Sequence, residues 1–182
     1  MRQRWPYLTD SEISILLKDL YPSSKYSAPF LRASDIYADH DFQCTSLMMS
    51  RAFASFNVTV YKTSFERNPS IHYFNEPREL GVYHGAEVQF LWHMNNYLDA
   101  SQGEVELADY FMDSFDRFLH GQSALPHTFT SSDPLYTVLN VPVAEIKPVK
   151  ESDDKIRKCQ FWYKASTLRS FVEYSQFSIA NL

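Results

Sequence analysis

The sequence predicts an α/β chain, mostly helices plus a few strands. Three observations carry this. Helical periodicity recurs in five segments, one β-branched and aromatic run reads as a strand, and a proline-rich stretch fits short extended pieces. The 182 residues allow one domain and make two cramped, at roughly 100–200 residues per domain. Hydrophobic residues at 45% and aromatics at 16% supply ample core material, so wholesale disorder is excluded.

Thr9-Asp10-Ser11-Glu12 reads as a capping box, in which the Thr hydroxyl and the Glu carboxylate satisfy each other's orphan backbone donors. Ile13, Leu16, Leu17 and Leu20 follow at helical spacing, and Tyr21-Pro22 ends the run. After a polar loop over 23–29, Phe30 to Phe56 is helical again with a restart near Asp41. Phe42, Met48, Met49, Phe53 and Phe56 are the expected buried stripe there. Val58 to Phe65 reads as one strand, and 66–83 as loop with breakers at Asn68-Pro69 and Glu76-Pro77. A short helix is expected from Glu87 to Met94.

The clearest helix runs from Glu104 to Leu119, with Val105, Ala108, Phe111, Met112, Phe115, Phe118 and Leu119 on one face. Gly121 stands where a C′ residue belongs. Residues 122–154 carry four prolines and read as extended chain, with short strands fitting Tyr136–Leu139 and Val143–Ile146. A last helix is expected from Asp154 to Tyr174, with Ile156, Cys159, Phe161, Trp162, Leu168 and Phe171 apolar. One confident strand has no partner to hydrogen-bond. Either 136–146 supplies partners, or the sheet belongs to sequence elsewhere.

Composition excludes several functions. Four glycines stand where average usage gives about thirteen. Neither a P-loop nor a GxGxxG fingerprint can be written with Gly81, Gly85, Gly103 and Gly121, so no nucleotide cofactor is expected. The net charge of −5 and the lack of a basic block argue against nucleic acid as a partner. No apolar run reaches the 18 or so residues a bilayer crossing needs, and the N-terminus as written has no signal-peptide h-region.

Cys44 and Cys159 are too few for a zinc cluster, and no histidine pair has HExxH spacing, so no metal is expected. The two cysteines are either free core thiols or one long-range disulfide, and composition alone favours the free pair. Asn57-Val58-Thr59 is a glycosylation sequon and tilts toward secretion. Of six histidines, His84 differs in context, because two of the four glycines, Gly81 and Gly85, bracket it. Scarce glycines beside one imidazole suggest a tight loop with close backbone approach, the geometry that a base on a loop beyond a strand requires.

Gly81-Val82-Tyr83-His84-Gly85-Ala86-Glu87-Val88-Gln89-Phe90 resembles the catalytic-histidine segment of type-B carboxylesterases, the family of cholinesterases and fungal lipases. Three further stretches resemble that family in the same order. Asp41-Phe42-Gln43-Cys44 with the helix and strand after it is similar to the family's cysteine helix. Glu106-Leu107-Ala108 and the helix to Phe118, with Gly121 beyond, resemble a second helix. Lys158-Cys159-Gln160-Phe161-Trp162 is similar to the start of the last helix. The matches span residues 8 to 165.

The resemblance implies the C-terminal portion of an α/β-hydrolase fold, incomplete as a domain, with further sequence expected upstream. It implies a serine carboxylic ester hydrolase segment in which His84 is the general base and Glu87 a supporting acid. In this fold the triad runs Ser, acid, His along the chain, so nucleophile, acid and oxyanion hole fall outside these residues. The only glycines four apart enclose Val82, Tyr83 and His84, with no serine between them. The chain alone is therefore expected to be inactive, with a carboxylic ester or lipid as substrate once completed. The resemblance also implies a Cys44–Cys159 disulfide and an extracellular relative, which agrees with the Asn57 sequon. The rival classes are a cholinesterase-like adhesion module without catalysis and an unrelated small helical binding domain.

Overall fold

A computed structural model describes residues 4–70, 81–94 and 100–165. The chain is mixed helix and strand, and divides into two compact units, 1–56 with 151–182, and 57–150. The second unit is thus inserted, in sequence, into the first.

In the first unit, α1 (Asp10–Ile15) opens on the expected capping box. The Glu12 N–H donates to Thr9 Oγ1 at 3.2 Å, and the Thr9 N–H to Glu12 Oε2 at 2.9 Å. The helix runs on through a π turn, Leu16–Leu20, which buries Leu16 and Leu20. α2 (Pro29–Ala38) begins with proline at its first position, where the missing N–H costs nothing. A second π turn, Asp39–Gln43, is the restart expected near Asp41, and leads into α3 (Cys44–Ser55). α6 (Asp153–Ala165) returns to pack on them. The expected continuation of α6 to Tyr174, with Leu168 and Phe171, lies outside the described residues.

Cys44 and Cys159 form a disulfide with Cα atoms 4.9 Å apart, so the compositional preference for free thiols is corrected. Tyr163 adds a hydroxyl that donates to the Cys44 carbonyl at 2.5 Å. These links turn Cys44, Leu47, Ser50 and Arg51 inward. The stripe expected to be buried faces out: Phe42, Met49, Phe53 and Phe56 are 47–69% exposed, and Met48 is half-buried. Periodicity found the helix, and the cross-link chose its buried face.

Beneath α6 lies a buried ionic cluster. The Asp39 carboxylate is fully buried and accepts from Tyr21 Oη at 2.8 Å. Lys155 Nζ pairs with it directly, and Lys158 Nζ lies 3.8 Å away and 4.5 Å from the Tyr21 ring centroid. Trp162 Nε1 donates to Tyr21 Oη at 3.3 Å. Burial, then the Asp39 charge, pushes the Tyr21 hydroxyl far above the ordinary tyrosine range, so it stays a neutral donor.

Among the described residues the second unit holds one small sheet, ordered β1 (Thr63–Phe65), β2 (Leu135–Leu139), β3 (Pro148–Lys150). β1 runs parallel to β2, with Phe65 opposite Leu139, and β3 is antiparallel, with Tyr136 opposite Val149. The expected strand over Val58–Phe65 keeps only its last three residues. Its earlier part still makes bridging bonds, since Phe129 N–H donates to Val60 O and Thr137 N–H to Lys62 O, both at 2.8 Å. Residues 136–146 do supply the partner, through β2. Val143–Glu145 is a 3₁₀ turn rather than the expected strand, and the third strand lies beyond it.

The core of this unit is Phe90, Leu107, Ala108 and Leu139, with Phe65, Tyr110, Phe111 and Val141 packed around it. Phe90 comes from α4 (Val88–Leu91), shorter than the expected Glu87–Met94. Leu107 and Ala108 come from α5 (Gln102–Leu119), where Met112, Phe118 and Leu119 prove exposed. Phe118 and Leu119 lie in the last turn, past the residues that face the core. No described helix is long and apolar enough to cross a membrane.

Candidate active-site loop

His84 lies in the second unit, in a run of turns that leads from Gly81 into α4. Gly81 has φ +65° and Gly85 φ +87°, conformations that cost an L side chain on the order of 1–2 kcal/mol. A Cβ added at Gly85 would meet nothing within 4 Å, so the backbone conformation alone calls for glycine there. The expected tight loop is present, but among the described residues the expected close backbone approach is not, since a Cβ at Gly81 would also meet nothing within 4 Å.

The loop is closed by its own backbone. Ala86 N–H donates to Tyr83 O at 3.0 Å and Val88 N–H to Gly85 O at 3.1 Å. Ala86 and Phe90 are fully buried, and the Phe90 ring lies 4.9 Å from that of Phe65 on β1. Two residues after the imidazole the chain is therefore pinned in the core, while the His84 side chain itself is exposed. Glu87, half-buried, sits at the N-cap of α4 and makes no side-chain capping bond there. Gln89 is buried at 1% exposure, and neither end of its amide finds a hydrogen-bond partner among the described residues.

A second fixed point lies at the start of α5. Glu104 is 2% exposed, and its carboxylate gathers donors from both sides of a loop. Ser101 N–H and Oγ reach it at 3.1 and 2.9 Å, completing a capping box, Ser70 N–H at 2.7 Å, and Arg67 Nε at 3.1 Å. The Ser70 hydroxyl bonds it as well. Burial alone would push this carboxyl up, but the donors outweigh it and hold it at about 2. The chain from β1 to Ser70 is thereby tied to α5, the helix whose Leu107 and Ala108 meet Phe90.

A loop anchored to the core that offers an exposed imidazole can exchange protons with a group brought within about 2.6–3.2 Å of it. Among the described residues no group of three or more His, Cys, Asp or Glu is placed to hold a metal ion. Asn57 is exposed with φ +57°, one residue past the C-cap of α3. His120 is exposed at the end of α5. His93 is half-buried just past the C-cap of α4, with φ +49° and its Nε2 3.4 Å from Asp109. Sequence reasoning passed over His40, which the fold surrounds with Tyr7, Asp41, Trp5 and Trp162. Nothing local marks it, because Tyr7 is 33 residues away. No family model matches the chain, and no curated protein matches it.

Proposed function

We propose that this chain carries the general-base segment of a serine carboxylic ester hydrolase, with His84 as the base. The observation that supports this most is the loop itself. Two glycines at positive φ hold one exposed imidazole, and Ala86 and Phe90 fix the loop to the core. His84 would take the proton of a serine hydroxyl as it attacks the ester carbonyl, then return one to the leaving alcohol. Imidazole is the side chain most often used to pass a proton in both directions. Glu87, three residues on, supports the site as a nearby carboxylate. The nucleophilic serine and the oxyanion donors come from sequence outside these residues. The substrate is a carboxylic ester, lipid esters included.

The Cys44–Cys159 disulfide supports maturation in an oxidising, extracellular compartment, and the exposed Asn57 sequon agrees with it. The test is p-nitrophenyl ester hydrolysis by the complete product of the gene, with His84→Ala beside the parent. Loss of several orders of magnitude in kcat in the variant is expected. Equal hydrolysis by both removes His84 from the mechanism. A folded parent that hydrolyses nothing favours the non-catalytic adhesion reading instead.

A further inference from the structure

The first unit holds a different imidazole. His40 lies in the π turn Asp39–Gln43, half-buried, with its ring centroid 5.3 Å from Trp5 and 4.6 Å from Trp162, which meets it edge-on. Its Nε2 is 2.9 Å from the Tyr7 hydroxyl, and its Nδ1 is hydrogen-bonded to Asp41. The other oxygen of Asp41 accepts from Arg4 at 3.0 Å. Burial raises the Asp41 carboxyl, but His40 and Arg4 outweigh it and hold the group below its ordinary range, so it is ionised. An ionised carboxylate only accepts, so in the neutral imidazole the proton sits on Nδ1 and Nε2 accepts from Tyr7 O–H. A cavity of about 180 Å³ opens beside His40 and Asp41, and Tyr7 is not among its lining residues. His40, Asp41, Met48, Trp162 and Tyr163 line it.

Hydroxyl, base and orienting carboxylate stand in series at hydrogen-bond distance, the arrangement that activates a nucleophile. We propose that Tyr7 is a nucleophilic tyrosine that takes acyl groups from activated aryl esters, with His40 as its base. The Tyr7 oxygen attacks the carbonyl carbon while its proton passes to His40 Nε2. The tetrahedral adduct then collapses, the bond to the aryl oxygen breaks, and the aryloxide leaves with the electron pair. His40 returns its proton to solvent, and an O-acyl tyrosine remains.

The substrate class follows from the leaving group. An ordinary tyrosine has a pKa near 10, so transfer runs forward from an aryloxide of lower pKa and not from an alkoxide. Burial, then the Asp41 charge, raises the Tyr7 hydroxyl, so it is protonated at neutral pH and depends on His40. This site lies in the other unit from His84 and does not depend on the reading of that loop.

The test treats the 182-residue chain with p-nitrophenyl acetate and follows acetylation peptide by peptide by mass spectrometry. Tyr37, 43% exposed, is the internal comparison, since access alone favours it over half-buried Tyr7. Tyr7 is expected to react about 10²-fold faster than Tyr37, the lower range for general-base assistance. Urea is expected to bring the two to one rate, and His40→Asn to do so without denaturant. Tyr7→Phe should remove the mark from its peptide. Equal rates in the native chain, an acetyl group on His40 in place of Tyr7, or a folded His40→Asn protein with the parent's Tyr7 rate overturns the proposal.

Discussion

Removing the Cys44–Cys159 disulfide tests how the two units depend on one cross-link. The bridge spans 115 residues, and that loop contains the whole second unit. If everything unfolds together, the chain-entropy relation gives about 5 kcal/mol for a loop of this length. If the second unit stays folded while the first opens, it acts as a rigid insert. The loose chain is then only residues 45–56 and 151–158, about 20 residues, and the same relation gives about 3 kcal/mol. The Cys44→Ser, Cys159→Ser double variant is thus expected to lose about 3–5 kcal/mol. For a chain of this size that is a fall in Tm on the order of 10 °C. Urea unfolding of parent and variant reads the number, and the m-value separates the two cases, because partial unfolding exposes less surface. A loss below about 1 kcal/mol at unchanged m would refute the reasoning. It would mean that α3 and α6 hold together without the bridge, or that the unfolded chain is already compact.

Three further outcomes follow from particular contacts. Glu104 is held at about 2 in the folded protein against an ordinary 4.5, so its stabilisation is present above pH 4.5 and lost as pH falls from there toward 2. At 1.36 kcal/mol per unit this is at most about 3 kcal/mol, and Glu104→Gln should flatten that limb in denaturation series at pH 7, 4 and 2.5. Asp39→Ala leaves Lys155, Lys158 and the Tyr21 hydroxyl facing an uncompensated buried site, and should cost about 3–5 kcal/mol by chemical denaturation. Gly85→Ala meets no steric obstacle, so only the positive φ is felt. A loss of about 1–2 kcal/mol by thermal melting is expected, and no loss would mean the loop can re-form without that conformation.

Local chemistry wrote several elements into the sequence. Thr9 and Glu12 cap α1 as their spacing requires, because a capping box needs only residues three apart. Gly81 and Gly85 marked the His84 loop, because no other residue takes positive φ so readily. The run at Tyr136–Leu139 became the central strand, and the periodic stretch through Leu119 became the longest helix among the described residues. The strand that lacked a partner found one 74 positions along the chain, Thr63 against Thr137, a pairing no local pattern specifies. Periodicity also names an apolar stripe without saying what it faces. On α3 and its two ends it pointed to Phe42, Met49, Phe53 and Phe56, yet the disulfide and the Tyr163 hydroxyl turn Cys44 and Leu47 inward. The Asp39 cluster and the Tyr7–His40–Asp41 series are of the same kind. Each is built from residues that are individually ordinary and distant in sequence, and neighbouring Asp41 gains meaning only once Tyr7 closes on the far nitrogen of His40. Capping and glycine conformation are short-range effects that a few residues settle. Which face is buried, which strands pair and which titratable groups meet are settled by contacts between distant segments, and those exist only in the folded chain.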